Sequence, residues 1–456
     1  MIHTFKCLDK YLLLDVESGA VHTVDELIFD VAKLFENLTT SEIIDALSSE
    51  YSQADIIEAL DELNILKNDG LLCAPNNDAL VLEVTAKNSS TIKAMCLHIA
   101  HDCNLRCKYC FASTGDFKGE RLLMPLETAK AALDFLVAHS ANRKNLEVDF
   151  FGGEPLMNFE VLKQTVEYGR ELEKIHNKQF KFTVTTNCVI LNEEILDFIN
   201  KEMVNVVLSI DGQAEVHNKM RRTINDKPSF DIVLANAKKI AAARNQQRYY
   251  VRGTFTAYNL HFAKDVLFLA DCGFQQLSIE PVVAKESELY ALKKEHISII
   301  SQEYEDLAKE YLDRRKNGNG FNFFHFMVDL SGGPCLPKRV SGCGVGSEYV
   351  AITPEGDIYP CHQFVGVAEK KMGNVHTGKF DVSSQSEYKA CNVLTKEKCR
   401  DCWAKYYCSG GCAANAYNFN GDIYSPFDIA CEFQKKRTEC ALAIYAIEKG
   451  DEEIND

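Results

Sequence analysis

The sequence predicts an α/β protein centred on a parallel sheet or a partial (β/α)6 barrel, with a small α+β module before it and a cysteine-rich region after it. Three observations support that class. Six strand-like runs alternate with helical stretches from about residue 93 to 283, the pattern of repeated βα units. The unusual residues of that stretch follow the strand runs, where α/β sheets and barrels collect their chemistry. Beyond about residue 320 periodicity fades, and ten of the eighteen cysteines lie between Cys335 and Cys440.

Residues 1–85 read as a binding module. The stretch "YLLLDVESGAVHTV" alternates around a Glu-Ser-Gly turn like a hairpin. Three amphipathic segments follow, "DELIFDVAKLFEN", "TSEIIDALSSEY" and "SQADIIEALDELNIL", each opened by an Asp, Thr or Ser suited to capping a helix. "NILKNDGLLCAP" suggests a helix end and a short wing, giving a winged-helix-like unit without catalytic groups. "PNNDALVLEVTAKNSS", polar at both ends, is expected to be the linker.

The central region, 93–320, contains the runs "IKAMCLHIA", "LEVDFF", "FKFTVTT", "VNVVLSI", "YYVRGTFT" and "LSIEPVV". The first is followed by Cys103, Cys107 and Cys110, the second by "GGEP" at 152–155, the third ends in "TTN" at 185–187, and the fourth runs into "SIDG" at 209–212. The last region, 321–456, has "GPCLPKRVSGC", "TPEGDIYPC" and "KCRDCWAKYYCSGGC". Such loop-rich sequence buries little apolar surface by itself, so bound metal is expected to contribute to its stability.

Composition narrows the partners. At 456 residues, about three domains are expected, and 46% hydrophobic with 25% charged residues is a globular composition. A formal net charge of -16 repels nucleic acid and anionic membranes. A peptide partner should therefore be neutral or locally basic, or should bind by backbone pairing. No basic segment and apolar core open the chain, and no run of eighteen apolar residues occurs. A cytoplasmic protein is expected, with thiols kept reduced or used as metal ligands.

Three thiols within eight residues have three readings: small buried hydrophobes, part of a zinc site, or three ligands of a 4Fe-4S cluster with one iron left open. Cys103, Cys107 and Cys110, with Tyr109 before the last, resemble the CxxxCxΦC signature of radical S-adenosylmethionine (SAM) enzymes. That resemblance implies the partial barrel. It also implies that the open iron chelates SAM and that one electron from the cluster releases a 5'-deoxyadenosyl radical. Gly152, Gly153 and Glu154 match the family's GGEP motif, with the glycines permitting close approach and Glu154 accepting from the SAM ammonium. Ser209 and Asp211 stand where relatives contact the ribose and methionine moiety. Arg221 matches the arginine of "DGxxExHxxxR" and would meet the SAM carboxylate as a fork.

The later cysteines resemble a SPASM domain: Cys343, Gly356, Cys361, Cys399, Cys402, Cys408, Cys412 and Cys431 match its pattern, whereas a zinc ribbon is the alternative for paired cysteines. The resemblance implies two auxiliary 4Fe-4S clusters, three clusters in all. Cys399, Cys402, Cys408 and Cys431 would hold one, and Cys343, Cys361 and Cys412 the other. Cys335 would close the latter as a fourth ligand; without it one iron would stay open for a substrate thiolate.

Over its whole length the chain resembles maturases of SCIFF peptides, within the group that makes thioether crosslinks in ranthipeptides and sactipeptides. The resemblance implies a cysteine-rich precursor peptide as substrate and a PqqD-like element in residues 1–85 that pairs the leader with a strand edge. It also implies an external reductant of flavodoxin or ferredoxin type. Asn218, where relatives often have Asp, and Lys227-Pro228, in place of a Gly-rich turn, depart from the pattern. Sulfatase maturases carry an Asp after the cysteine matching Cys361; here His362 stands there, a candidate for proton transfer. Formylglycine formation, epimerisation, decarboxylation and carbon-carbon crosslinking are the rival reactions. A noncatalytic iron-sulfur or zinc scaffold is the rival from another class.

Overall fold

The computed structural model describes residues 1–87, 91–328 and 336–455, so Cys335 lies outside the described residues. The chain opens with a three-stranded antiparallel sheet, β1 (Ile2–Cys7), β2 (Lys10–Asp15) and β3 (Val21–Val24), in that spatial order. β2 and β3 form the expected hairpin, with Tyr11 opposite Val24 and Leu14 opposite Val21. β1 was not foreseen. It reaches β2 through Leu8 and Asp9, both left-handed (φ 52° and 59°), as a tight two-residue hairpin requires; Leu seldom takes that conformation and leaves no turn signal.

Helices Glu26–Phe35, Thr40–Leu47 and Gln53–Asn68 follow. Asp25 accepts from the Ile28 N–H at 2.9 Å and Ser52 from the Asp55 N–H at 3.3 Å, while Glu42 accepts from the Thr39 N–H at 2.8 Å. These caps satisfy donors that a helix start leaves unpaired. The apolar faces meet around Leu13, Phe29, Ile43, Ile56 and Leu63.

Two expectations fail here. The anticipated wing is irregular chain, with no strand over 69–77. The anticipated linker is largely helix, Asp78–Lys87. Its buried Val81 packs with Val340, Val393, Leu394 and Cys399 of the last region. Polar flanks disguised one buried stripe.

The second sheet has eleven strands. β4 (Ala94–Ala100), β5 (Asn145–Gly152), β6 (Gln179–Thr186), β7 (Met203–Ser209), β8 (Tyr249–Phe255) and β9 (Gln276–Pro281) are the six expected runs. They lie in sequence order, all parallel, with the two-residue β10 (Asn322–Phe323) beyond β9. The barrel stays open because β4 takes a different neighbour: β11 (Tyr349–Ile352) runs parallel to it, with Tyr349 opposite Ala94. Antiparallel β12 (Asp357–Tyr359), β13 (Gly373–Asn374) and β14 (Lys379–Phe380) extend that side. Along β5 the side chains alternate, Leu146, Val148 and Phe150 buried in the core and Glu147, Asp149 and Phe151 on the opposite, inner face.

The last region is more regular than its composition suggested. Helix Asp428–Asn455 packs along helix Ile297–Lys316 and against β1. It contributes fully buried Cys440, Leu442 and Ala443 to the main core. The Cys7 and Cys440 sulfurs are 3.8 Å apart, and His3 stacks on Trp403 at 3.8 Å. Lys405, 2% exposed, pairs with Glu17 at 2.9 Å and Asp78 at 3.5 Å. Among the described residues no helix is long and apolar enough to cross a membrane.

Candidate active site

β4 delivers the three-cysteine loop, and the turn after β5 clamps it. Gly153 N–H donates to Ala100 O at 2.7 Å and Glu154 N–H to Asp102 O at 2.8 Å. A Cβ on Gly152 (φ 121°) would lie 2.2 Å from Ala100 O, and one on Gly153 2.0 Å from Asp102 O. The glycines therefore admit the cysteine loop's own backbone. On the far side, Arg106 N–H bonds Arg222 O at 2.6 Å and Lys108 N–H bonds Met220 O at 2.9 Å.

The loop gathers the thiols. Cys103 Sγ accepts from the Leu105 N–H at 3.4 Å and from Asn187 Nδ2 at 3.5 Å. Burial pushes Cys103 up to about 11 and Cys107 up to about 12, and each feels the charge of Cys110. Bare thiolates are thus disfavoured, and bound metal would reverse that by coordinating them. Among the described residues no three His, Cys, Asp or Glu side chains converge as a single metal ion would require. Three soft thiol donors on one loop are the donor set that an iron-sulfur cluster takes.

Beside the thiols, Tyr109 OH donates to Asp211 Oδ2 at 2.6 Å, and Arg221 Nε donates to Tyr109 OH at 2.7 Å and to Asp211 Oδ1 at 3.0 Å. The Thr254 N–H also reaches Asp211 at 3.1 Å. Arg221 works through Nε, and no described residue bonds its two Nη groups, the prongs needed for a carboxylate. Glu154 is fully buried. It accepts from the Leu156 N–H (3.1 Å), Thr186 Oγ1 (2.8 Å) and the Asn187 N–H (2.7 Å). Burial lifts it to about 7 against the pull of those donors and Arg221. Ser209 ends β7, paired in register with Arg252 of β8. A buried carboxylate and a half-engaged guanidinium on one rim fit the two charged ends of SAM's amino-acid moiety.

Seven of the later thiols act on one another in two groups. Cys361 feels Cys412 and Cys343, and Cys412 feels Cys343. Cys431 feels Cys408, Cys399 and Cys402. His362 projects between the first group and the rim: its ring lies 5.1 Å from Phe151 and 5.5 Å from Phe111, the residue after Cys110. Burial and Arg252 hold the His362 imidazole down at about 4, so it is neutral near pH 7.

Residues 97–255 match the model of the radical SAM superfamily, and residues 343–403 match that of an iron-sulfur cluster-binding domain, SPASM. The chain carries a radical SAM domain and a SPASM domain. Among similar proteins is the radical SAM cyclopropyl synthase TigE of Paramaledivibacter caminithermalis, 21% identical over 91% of this chain and 89% of its own. The cysteine-type anaerobic sulfatase-maturating enzyme of Clostridium novyi is 26% identical over 69% of this chain and 86% of its own. The structure of Streptococcus suis SuiB bound to precursor peptide SuiA shares the fold (TM-score 0.54, 16% identity, 94% of this chain and 98% of that one).

The sequence reading missed several residues of the radical SAM domain. Asn187 was noted only as the end of a strand, yet its side chain bridges Cys103 and Asn104 and its N–H reaches Glu154. Gly115 (φ 104°) has no room for a Cβ, which would lie 2.9 Å from Cys103 Cβ. Phe111 and Phe151 gave no signal beyond their positions after Cys110 and before Gly152. Asn218 was counted as a departure; it accepts from the Ser229 and Phe230 N–H groups at 3.0 Å each and caps helix Phe230–Ala243.

Proposed function

We propose that the chain is a radical SAM enzyme that installs Cys-to-carbon thioether crosslinks in a cysteine-rich, SCIFF-type precursor peptide. SAM bound at the reduced rim cluster would supply the radical that removes hydrogen from the acceptor residue. Cys103, Cys107 and Cys110 would hold that cluster. Tyr109 and Asp211 hold Arg221, which would meet the SAM carboxylate; Glu154 would meet its ammonium, and Ser209 and Asp211 would contact its ribose and methionine moiety. Cys343, Cys361 and Cys412 would present an auxiliary cluster to a peptide thiolate, and Cys399, Cys402, Cys408 and Cys431 would hold another for electron exit to an external acceptor, while an external reductant would supply the electron at the rim. The module of residues 1–85 would bind the leader.

The observation carrying this reading is the wall shared by the rim and the first auxiliary group. Phe111, adjoining Cys110, and Phe151, adjoining Gly152, both pack on His362, adjoining Cys361. One peptide loop could therefore span from hydrogen abstraction to a thiolate site, with His362 the candidate for proton transfer on the wall between them. An Asp at that position, as sulfatase maturases have, would serve a different oxidation. SuiB's precursor peptide favours a peptide substrate here too.

The test is product mass with a cysteine-rich, SCIFF-type precursor peptide under strict reduction. Each thioether removes two hydrogens and one alkylatable thiol. Loss of two hydrogens with every thiol retained would support a ring closure such as TigE's name describes, and unchanged mass would support epimerisation. Either result rejects the thioether reading.

A further inference from the structure

Among the described residues no anion pairs with the buried cation Lys396. It is 3% exposed, and its Nζ donates to Gly410 O at 2.7 Å. It also bonds the side chain of Cys391, whose Sγ reaches Ile423 O at 3.1 Å. No carboxylate among the described residues stands within ion-pair distance of Nζ. Asp422 feels its field, but its oxygens accept from the Tyr424 and Ser425 N–H groups and the Ser425 hydroxyl. A buried ammonium costs several kcal/mol unless negative charge answers it, and a carbonyl and a thiol supply little.

Its position indicates the answering charge. Lys396 caps helix Glu397–Arg400, and its carbonyl accepts from the Cys399 N–H at 3.0 Å. Its Nζ reaches the middle of Ser409-Gly410-Gly411, the three residues that join Cys408 of one thiol group to Cys412 of the other. All three are left-handed (φ 57°, 83° and 69°), which turns the chain between the groups. The ammonium's field reaches Cys399 in one group and Cys412 in the other.

We propose that Lys396 is the shared counter-charge of both auxiliary iron-sulfur sites and raises the reduction potential of each. This rests on reading the two thiol groups as cluster ligands. A thiolate-ligated cluster gains one negative charge on one-electron reduction, so a fixed buried cation stabilises its reduced form more than its oxidised form. One ammonium facing both groups shifts both in the same direction.

The experiment uses the full chain with Cys103→Ala, Cys107→Ala and Cys110→Ala together, leaving only auxiliary clusters. Iron content and a dye-mediated redox titration followed by electron paramagnetic resonance are compared for Lys396, Lys396→Met and Lys396→Arg. Lys396→Met should retain iron and make both clusters at least tenfold harder to reduce, about 59 mV for one electron; Lys396→Arg should restore most of the loss. Full iron with one or both potentials unmoved in Lys396→Met overturns the proposal. If the Met protein fails to assemble, the Arg protein decides: unchanged potentials support the counter-charge, and a tenfold fall rejects it. A parent without iron would instead reject the auxiliary-cluster reading itself.

Discussion

Glu154 shows how a single side chain links burial to pH. Its folded value, about 7, lies above the ordinary glutamate value of about 4.3. Without SAM, the folded state therefore keeps a proton that the unfolded chain gives up earlier. The associated stability is fully present below the unfolded pKa and is lost as pH rises through about 7. If Glu154 meets SAM's ammonium as proposed, the ionised carboxylate is the binding form, and SAM binding should tighten over the same rise. Equilibrium dialysis of the iron-loaded enzyme from pH 6 to 8 should show that slope, and Glu154→Gln should bind more weakly and flatten it. The residue was legible in "GGEP", but the shift was not: it comes from complete burial, set against donors at 156, 186 and 187 that only the folded chain assembles.

Among the elements, the turn after β5 acts on the loop after β4. Because a Cβ on Gly153 would overlap Asp102 O, Gly153→Ala must displace the cysteine loop. The expected result is loss of about four irons per chain, one cluster, with the SPASM iron retained. Iron assay together with SAM cleavage checks it, and full iron with normal cleavage would contradict the clamp. Six strands and the rim motifs were legible because period-two burial and short motifs are local. β1, helix Asp78–Lys87 and the long C-terminal helix were not, since each is fixed by distant partners: Cys440 lies against Cys7, and Val340 and Val393 against Val81.

For the whole molecule, the N-terminal module is tied into the SPASM domain. Glu17 and Asp78 hold Lys405 inside the segment between Cys402 and Cys408. Removing one side of such a buried pair costs about 3–5 kcal/mol. Deleting residues 1–85 should therefore weaken precursor binding and also release the iron of the Cys399, Cys402, Cys408 and Cys431 group, while SAM cleavage at the rim persists. Glu17→Gln with Asp78→Asn in the full chain should reproduce the iron loss without removing the leader site. Peptide affinity by fluorescence anisotropy and iron by colorimetry separate the two effects; full iron in both proteins would leave Lys405 without this role. The pairing of β11 with β4 also sets an order of events during synthesis. β4 leaves the ribosome about 250 residues ahead of its edge partner, a delay of roughly 12–50 s at about 5–20 residues per second. Throughout that interval the strand that carries the cysteine loop keeps one row of N–H and C=O groups unpaired, an edge open to other chains until residues 349–352 arrive.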